Sequence, residues 1–271
     1  MENNGKFIRS FDGTRIWYQF HKNTKECLVF LHGLPGSSSA WKFIYPSLFQ
    51  QGYSTLLVDL RGHGFSEKPR ETNRYSIYHI VEDVKQILDK EHIPQAILIG
   101  HCYGGLVAQQ FYATYPEYTK KIVLINSDYS FSKQKARRFA SRSLYYLCGI
   151  CSFFVSPLSF ETIHLHLDYD KFRGSGDFNL LRIYHDMRAT SFKTFLPLYK
   201  ELLSLDFTEE LKNASVPFLI LHGKHDWVVP MRKSVEMKRL IKNSSLAILN
   251  TNHISIINSP GEIIAMSREF I

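Results

Sequence analysis

Several things are scarce in this 271-residue chain, and each scarcity narrows its function. No apolar run approaches the roughly 18 residues needed to cross a bilayer. The longest candidate, from Leu144 to Phe154, is short and interrupted by Gly149. Four cysteines are too few for a dense disulfide framework, which makes a reducing cytoplasm the simpler expectation. The first residues, Met1-Glu2-Asn3-Asn4-Gly5-Lys6, are polar and hold no signal-peptide core. Repeats and low-complexity linkers are missing too. The net charge of +8 is modest for this length; it favours acidic substrates or surfaces, and no nucleic-acid motif accompanies it.

What is present is an alternation of apolar strands and amphipathic helices, the pattern of a mostly parallel α/β sheet covered on both faces. Strands are expected at Lys6–Ser10, Arg15–Phe20, Cys27–Leu31, Thr55–Asp59, Ala96–Ile99, Ile122–Asn126, Pro217–Gly223 and Ser245–Leu249. One helix is expected from Ser38 to just before Gly52, another from Tyr75 to Glu91, and others after the Ala96–Ile99 strand, at Arg232–Ile241 and at the C-terminus. The alternation lapses between Tyr129 and Leu205. This predicts a core domain of residues 1–128 and 206–271, with residues 129–205 inserted as a helical lid.

Gly100-His101-Cys102-Tyr103-Gly104 is the most informative stretch. It follows a strand and opens a helix, and its flanking glycines permit a turn too tight for a Cβ. Such a turn lifts the central side chain, here a thiol, above the sheet. A thiol with an ordinary pKa of about 8.5 becomes a strong nucleophile when an imidazole takes its proton.

Taken with His32-Gly33-Leu34-Pro35-Gly36, Asp59-Leu60-Arg61-Gly62-His63-Gly64-Phe65-Ser66, His222-Gly223-Lys224-His225-Asp226 and Asn252-His253, the chain resembles the α/β-hydrolase fold superfamily, in the branch of esterases, lactonases, epoxide hydrolases and haloperoxidases. The resemblance covers nearly everything outside the lid. It implies a triad of Cys102, Asp226 and His253, in the nucleophile–acid–histidine order of that fold. It also implies an oxyanion hole made by the backbone N–H groups of Leu34 and Tyr103. Asp128, just after the sixth strand, occupies an acid position used by some relatives. The chain departs from the family at Asn252, where glycine is usual, and at Cys102, where serine is usual. Relatives that open epoxides or remove halide use an aspartate nucleophile, so the cysteine argues against both reactions. By the same resemblance, Asp59, His63, His101, His222 and His225 read as structural.

The implied reaction is hydrolysis of a carboxylic ester, lactone or thioester through an acyl-thioenzyme, without metal or cofactor. A thioester also yields to thiols, amines and alcohols, which makes acyl transfer the second reading; a catalytically silent ligand-binding member is the third. In the expected lid, Lys133, Lys135, Arg137, Arg138 and Arg142 precede Tyr145, Phe153 and Phe154. The plain reading is a solvated helix face followed by lid core. The sharper one is an apolar acyl pocket with a positive mouth, lined by Tyr145, Phe154 and Trp227. That pocket suits a small acyl substrate, carrier-bound or free, or peripheral contact with an anionic membrane surface. Cys148-Gly149-Ile150-Cys151 and the His164–Asp170 run have metal-like spacing, but no second pair or strand-end context, and read as lid packing.

Overall fold

The computed structural model describes residues 5–131 and 164–271. Eight strands form one sheet: β1 (Lys6–Arg9), β2 (Arg15–His21), β3 (Lys25–Leu31), β4 (Tyr53–Val58), β5 (Ala96–His101), β6 (Thr119–Ile125), β7 (Phe218–Gly223) and β8 (Ser244–Leu249). Their spatial order is β1-β2-β4-β3-β5-β6-β7-β8. The pairings β1–β2 and β2–β4 are antiparallel, and every other pairing is parallel. The parallel strands carry apolar runs, such as residues 28–31 and 122–125, because both faces of the sheet are covered there. In β3, Cys27, Val29 and Leu31 enter the core on one face, while Leu28 and Phe30 enter the core on the other. This is the period-two alternation of a strand, read here between two cores instead of between core and water.

Helices α1 (Tyr45–Gln50), α2 (Ile77–Lys90) and α3 (Tyr103–Thr114) lie in the connections from β3 to β4, β4 to β5 and β5 to β6. The amphipathic α2 buries Ile77, Ile80, Val81, Val84, Ile87 and Leu88, and starts at Ser76, whose hydroxyl accepts the His79 N–H at 3.3 Å. The single helix expected from Ser38 to Gly52 is instead a 3-10 turn, Ser38–Phe43, followed by α1. Pro46 lies in the first turn of α1, where its missing N–H costs nothing, so it begins a helix and does not continue one.

Between β6 and β7 the described residues contain no strand longer than a bridge. They form a 3-10 turn at Tyr169–Phe172 and the helices α4 (Leu180–Thr190), α5 (Phe192–Leu202) and α6 (Thr208–Lys212). The chain leaves the sheet and returns at one point, where Ser130 bridges Asp206 and the Phe207 N–H donates to the Tyr129 carbonyl at 2.9 Å. After β7 come α7 (Met231–Leu240), β8, α8 (Ser255–Asn258) and α9 (Pro260–Phe270). Among the described residues, no helix is long and apolar enough to cross a membrane.

The loop 59–66 is held from beneath by charge. Arg61 is fully buried; its Nε and Nη2 grip Asp83 at 2.8 and 2.7 Å, and its Nη1 reaches Asp12 at 2.7 Å. Asp59 joins this loop to the one after β3, accepting the Ser38 and Phe65 N–H groups at 2.8 Å each. Removing one member of a buried ion pair strands its partner without water. Arg61→Ala is therefore expected to lower the unfolding free energy by about 3–5 kcal/mol in urea titrations, and a loss under about 1 kcal/mol would contradict this account.

Candidate active site

The carboxyl ends of β3, β5, β6, β7 and β8 lie side by side, the edge where open α/β sheets place their ligands. Cys102 stands at the centre, between β5 and α3. Its φ of 52° and ψ of −115° lie in territory that L-residues rarely adopt, at a cost of order 1–3 kcal/mol. The turn is crowded enough to hold it there. A Cβ at Gly100 would overlap the Gly104 carbonyl, and one at Gly104 would overlap the Leu31 carbonyl. Cys102 donates its N–H to the Ile125 carbonyl at 3.0 Å, and its own carbonyl accepts the Ser127 hydroxyl at 2.9 Å. Cys102 is partly exposed.

His253 follows β8 and brings its ring to both sequence-expected partners. Its Nδ1 lies 2.8 Å from Asp226 Oδ2, and its side chain is hydrogen-bonded to that of Cys102. Burial drives the imidazole pKa down, but the Cys102 sulfur and the Asp226 carboxylate outweigh it and hold the value at about 10. Asp226 is itself well supplied. Oδ1 accepts the Val228 and Val229 N–H groups at 2.7 and 2.8 Å, and Oδ2 also accepts from Asn126 Nδ2 at 2.7 Å. Burial alone would raise this carboxyl; the bonds from His253, Asn126 and Val229 bring it below its ordinary value.

Asp128, the alternative acid, points elsewhere: it is buried 3.2 Å from the Lys233 ammonium and accepts the Tyr129 N–H at 2.7 Å. Tyr103 begins α3, so its N–H is among the first amides of a helix, which have no partner within it. The loop carrying Leu34 lies against the elbow, since a Cβ at Gly33 would come within 3.2 Å of the Cys102 Cβ. Trp227 is next to the acid, but it is 82% exposed. Tyr145, Phe154, the basic run and the Cys148–Cys151 pair lie outside the described residues.

In the His164–Asp170 run, His166 Nε2 meets Asp59 Oδ2 at 2.7 Å, and Asp168 and Asp170 both meet Lys42. Among the described residues no group of three or more histidine, cysteine or acidic side chains is placed to hold a metal ion. Buried beneath His253, His101 hydrogen-bonds the His253 carbonyl at 2.8 Å through Nε2, and burial together with the His253 charge pulls its pKa down to about 3.

Sequence reasoning missed three supports. Asn126 holds Asp226 and accepts from Ser255 at 2.7 Å; Ser127 anchors the elbow; Asp177 touches both site loops. Asn126 has a positive φ, 49°, which asparagine tolerates better than most residues, and an asparagine just after a strand is the one signal that the sequence offered.

With this geometry in view, likeness to other proteins is informative. The alpha/beta hydrolase fold family model matches residues 26–147. Epoxide hydrolase 1 of Caenorhabditis elegans is 24% identical over 248 residues, covering 86% of this chain and 61% of that protein. A hydrolase from Pseudomonas aeruginosa superposes with a TM-score of 0.81 at 19% identity, covering 100% of this chain and 99% of that one. An esterase from Exiguobacterium antarcticum gives 0.80 at 19% identity and 98% coverage of both. The chain has the α/β-hydrolase fold. It spans only 61% of the length of the C. elegans relative.

The second described cysteine gives an internal control. Cys27 is 5% exposed, and burial pushes its thiol up to about 12. Peptide-resolved mass spectrometry after iodoacetamide at neutral pH is expected to find Cys102 alkylated and Cys27 untouched. His253→Ala should slow labelling of Cys102 by about tenfold or more. Equal labelling of the two cysteines in the folded protein would contradict the geometry.

Proposed function

We propose that this protein hydrolyses a carboxylic ester, lactone or thioester through Cys102, His253 and Asp226, by way of an acyl-thioenzyme. The observation that carries the reading is the placement of one thiol, one imidazole and one buried carboxylate in a chain of hydrogen bonds at the strand ends. A raised imidazole pKa favours the imidazolium, the form of a base that has accepted a proton. The sulfur adds to the substrate carbonyl, and the Leu34 and Tyr103 N–H groups receive the developing oxyanion. Such donors are each worth about 3–4 kcal/mol in other acyl-transfer enzymes. His253 returns its proton to the leaving group as the tetrahedral adduct collapses to the thioester. It then takes a proton from water, which attacks that thioester and restores the thiol. Asp226 holds the ring by Nδ1, so that Nε2 serves the reaction.

The likeness to an esterase and a hydrolase supports this class of reaction. The likeness to an epoxide hydrolase supports the fold, while a thiol at the elbow favours acyl chemistry. The described residues 164–205 belong to the lid of the site; in support, Asp177 accepts hydrogen bonds from the acid and histidine loops.

Intact-protein mass spectrometry with p-nitrophenyl esters and acyl thioesters of short and long chain tests the reading. The wild type should gain an acyl mass on Cys102 that decays in water, and Cys102→Ala should gain none. An adduct that persists until a thiol or amine is added would make the protein an acyltransferase. No adduct from any donor would contradict both enzymatic readings.

A further inference from the structure

A short loop between the Tyr169–Phe172 turn and α4 touches both halves of the site. Asp177, 7% exposed, places Oδ1 2.8 Å from the backbone N of His253 and Oδ2 3.0 Å from the backbone N of Trp227. One carboxylate thus accepts from the histidine itself and from the residue that follows the acid. The loop is anchored on each side. The Asp177 carbonyl accepts from Arg182 Nη2 at 2.7 Å, and the Ser175 carbonyl accepts from Asn252 Nδ2 and Asn258 Nδ2 at 2.9 Å each.

From this bridge we infer that Asp177 is a positioning residue, which fixes the histidine loop against the acid loop and so sets the His253 ring between Cys102 and Asp226. The inference rests on the reading of those three residues as the reacting set. Both Asp177 oxygens are taken up by backbone amides, so the residue acts through the loops and not on a substrate. Its charge suits the task, because hydrogen bonds to a carboxylate are about twice as strong as neutral ones. A misplacement of about 1 Å in a reacting group costs on the order of a hundredfold in rate. Nothing else among the described contacts links the His253 and Trp227 amides through a single side chain.

The test compares Asp177→Ala and Asp177→Asn with the wild type in the full chain. It reads kcat and KM on a p-nitrophenyl ester, the iodoacetamide rate at Cys102, and the thermal melt by circular dichroism. Asp177→Ala is expected to lose about ten- to a hundredfold in kcat, as other supports of reacting groups do, with KM within about twofold. Its Cys102 alkylation should slow as well. Asp177→Asn keeps one acceptor oxygen and should recover part of both losses. A folded Asp177→Ala whose kcat and alkylation rate stay within about twofold of wild type would overturn the inference. If that variant does not fold, the same limits applied to Asp177→Asn decide. A wild type that turns over no ester or thioester, but whose Cys102 alkylation still depends on Asp177, would sink the proposed reaction and leave the positioning role standing.

Discussion

The site depends on a backbone that is held where it would not go by itself. Cys102 occupies a conformation that costs an L-residue free energy, and packing around it supplies the constraint. The Leu31 carbonyl closes over Gly104, and the Gly104 carbonyl closes over Gly100, so β3, β5 and α3 meet at van der Waals distance. That close approach gives the elbow both its shape and its exposure. A looser junction would let the turn relax and carry the thiol away from His253.

Around this fixed point the site is assembled from loops, each of which needs its own restraint. The acid loop is fastened by its own carboxylate, which takes the Val228 and Val229 amides and the Asn126 side chain. The histidine loop is fastened from below by His101 and from the side by Asp177. His101 stays uncharged because it is buried next to a positive neighbour, which leaves it suited to a plain hydrogen bond. One buried histidine therefore serves as scaffold while the other, facing a thiol and a carboxylate, is the group whose charge is stabilised.

The central strands were legible because each holds an apolar run bounded by turn residues, such as residues 28–31 and 122–125, and the motif-bearing loops follow strands of the one sheet. That Cys102, His253 and Asp226 come together was legible for a related reason, since residues at strand ends are placed by the sheet. The Ser38–Gly52 stretch was misread as one helix because hydrophobic periodicity does not register the break that Pro46 and the 3-10 turn introduce. Asp177 was illegible for a different reason. It lies 49 residues before Asp226 and 76 before His253, in a segment with no period to follow, and its partners are backbone amides, which leave no trace in side-chain spacing. Asn252, a departure from the family glycine, takes its meaning from the same loop, because its side chain binds the Ser175 carbonyl and accepts from Asn258.

The central claim is that the Cys102 sulfur and the Asp226 carboxylate together keep His253 charged. Nuclear magnetic resonance of the His253 ring nitrogens across pH, with Cys102→Ala alongside, measures this directly. The account predicts an imidazolium that persists through neutral pH and loses its proton near 10, and a titration that moves to lower pH when the sulfur is removed. A wild-type ring that titrates near the ordinary 6.5, unchanged in Cys102→Ala, would contradict it.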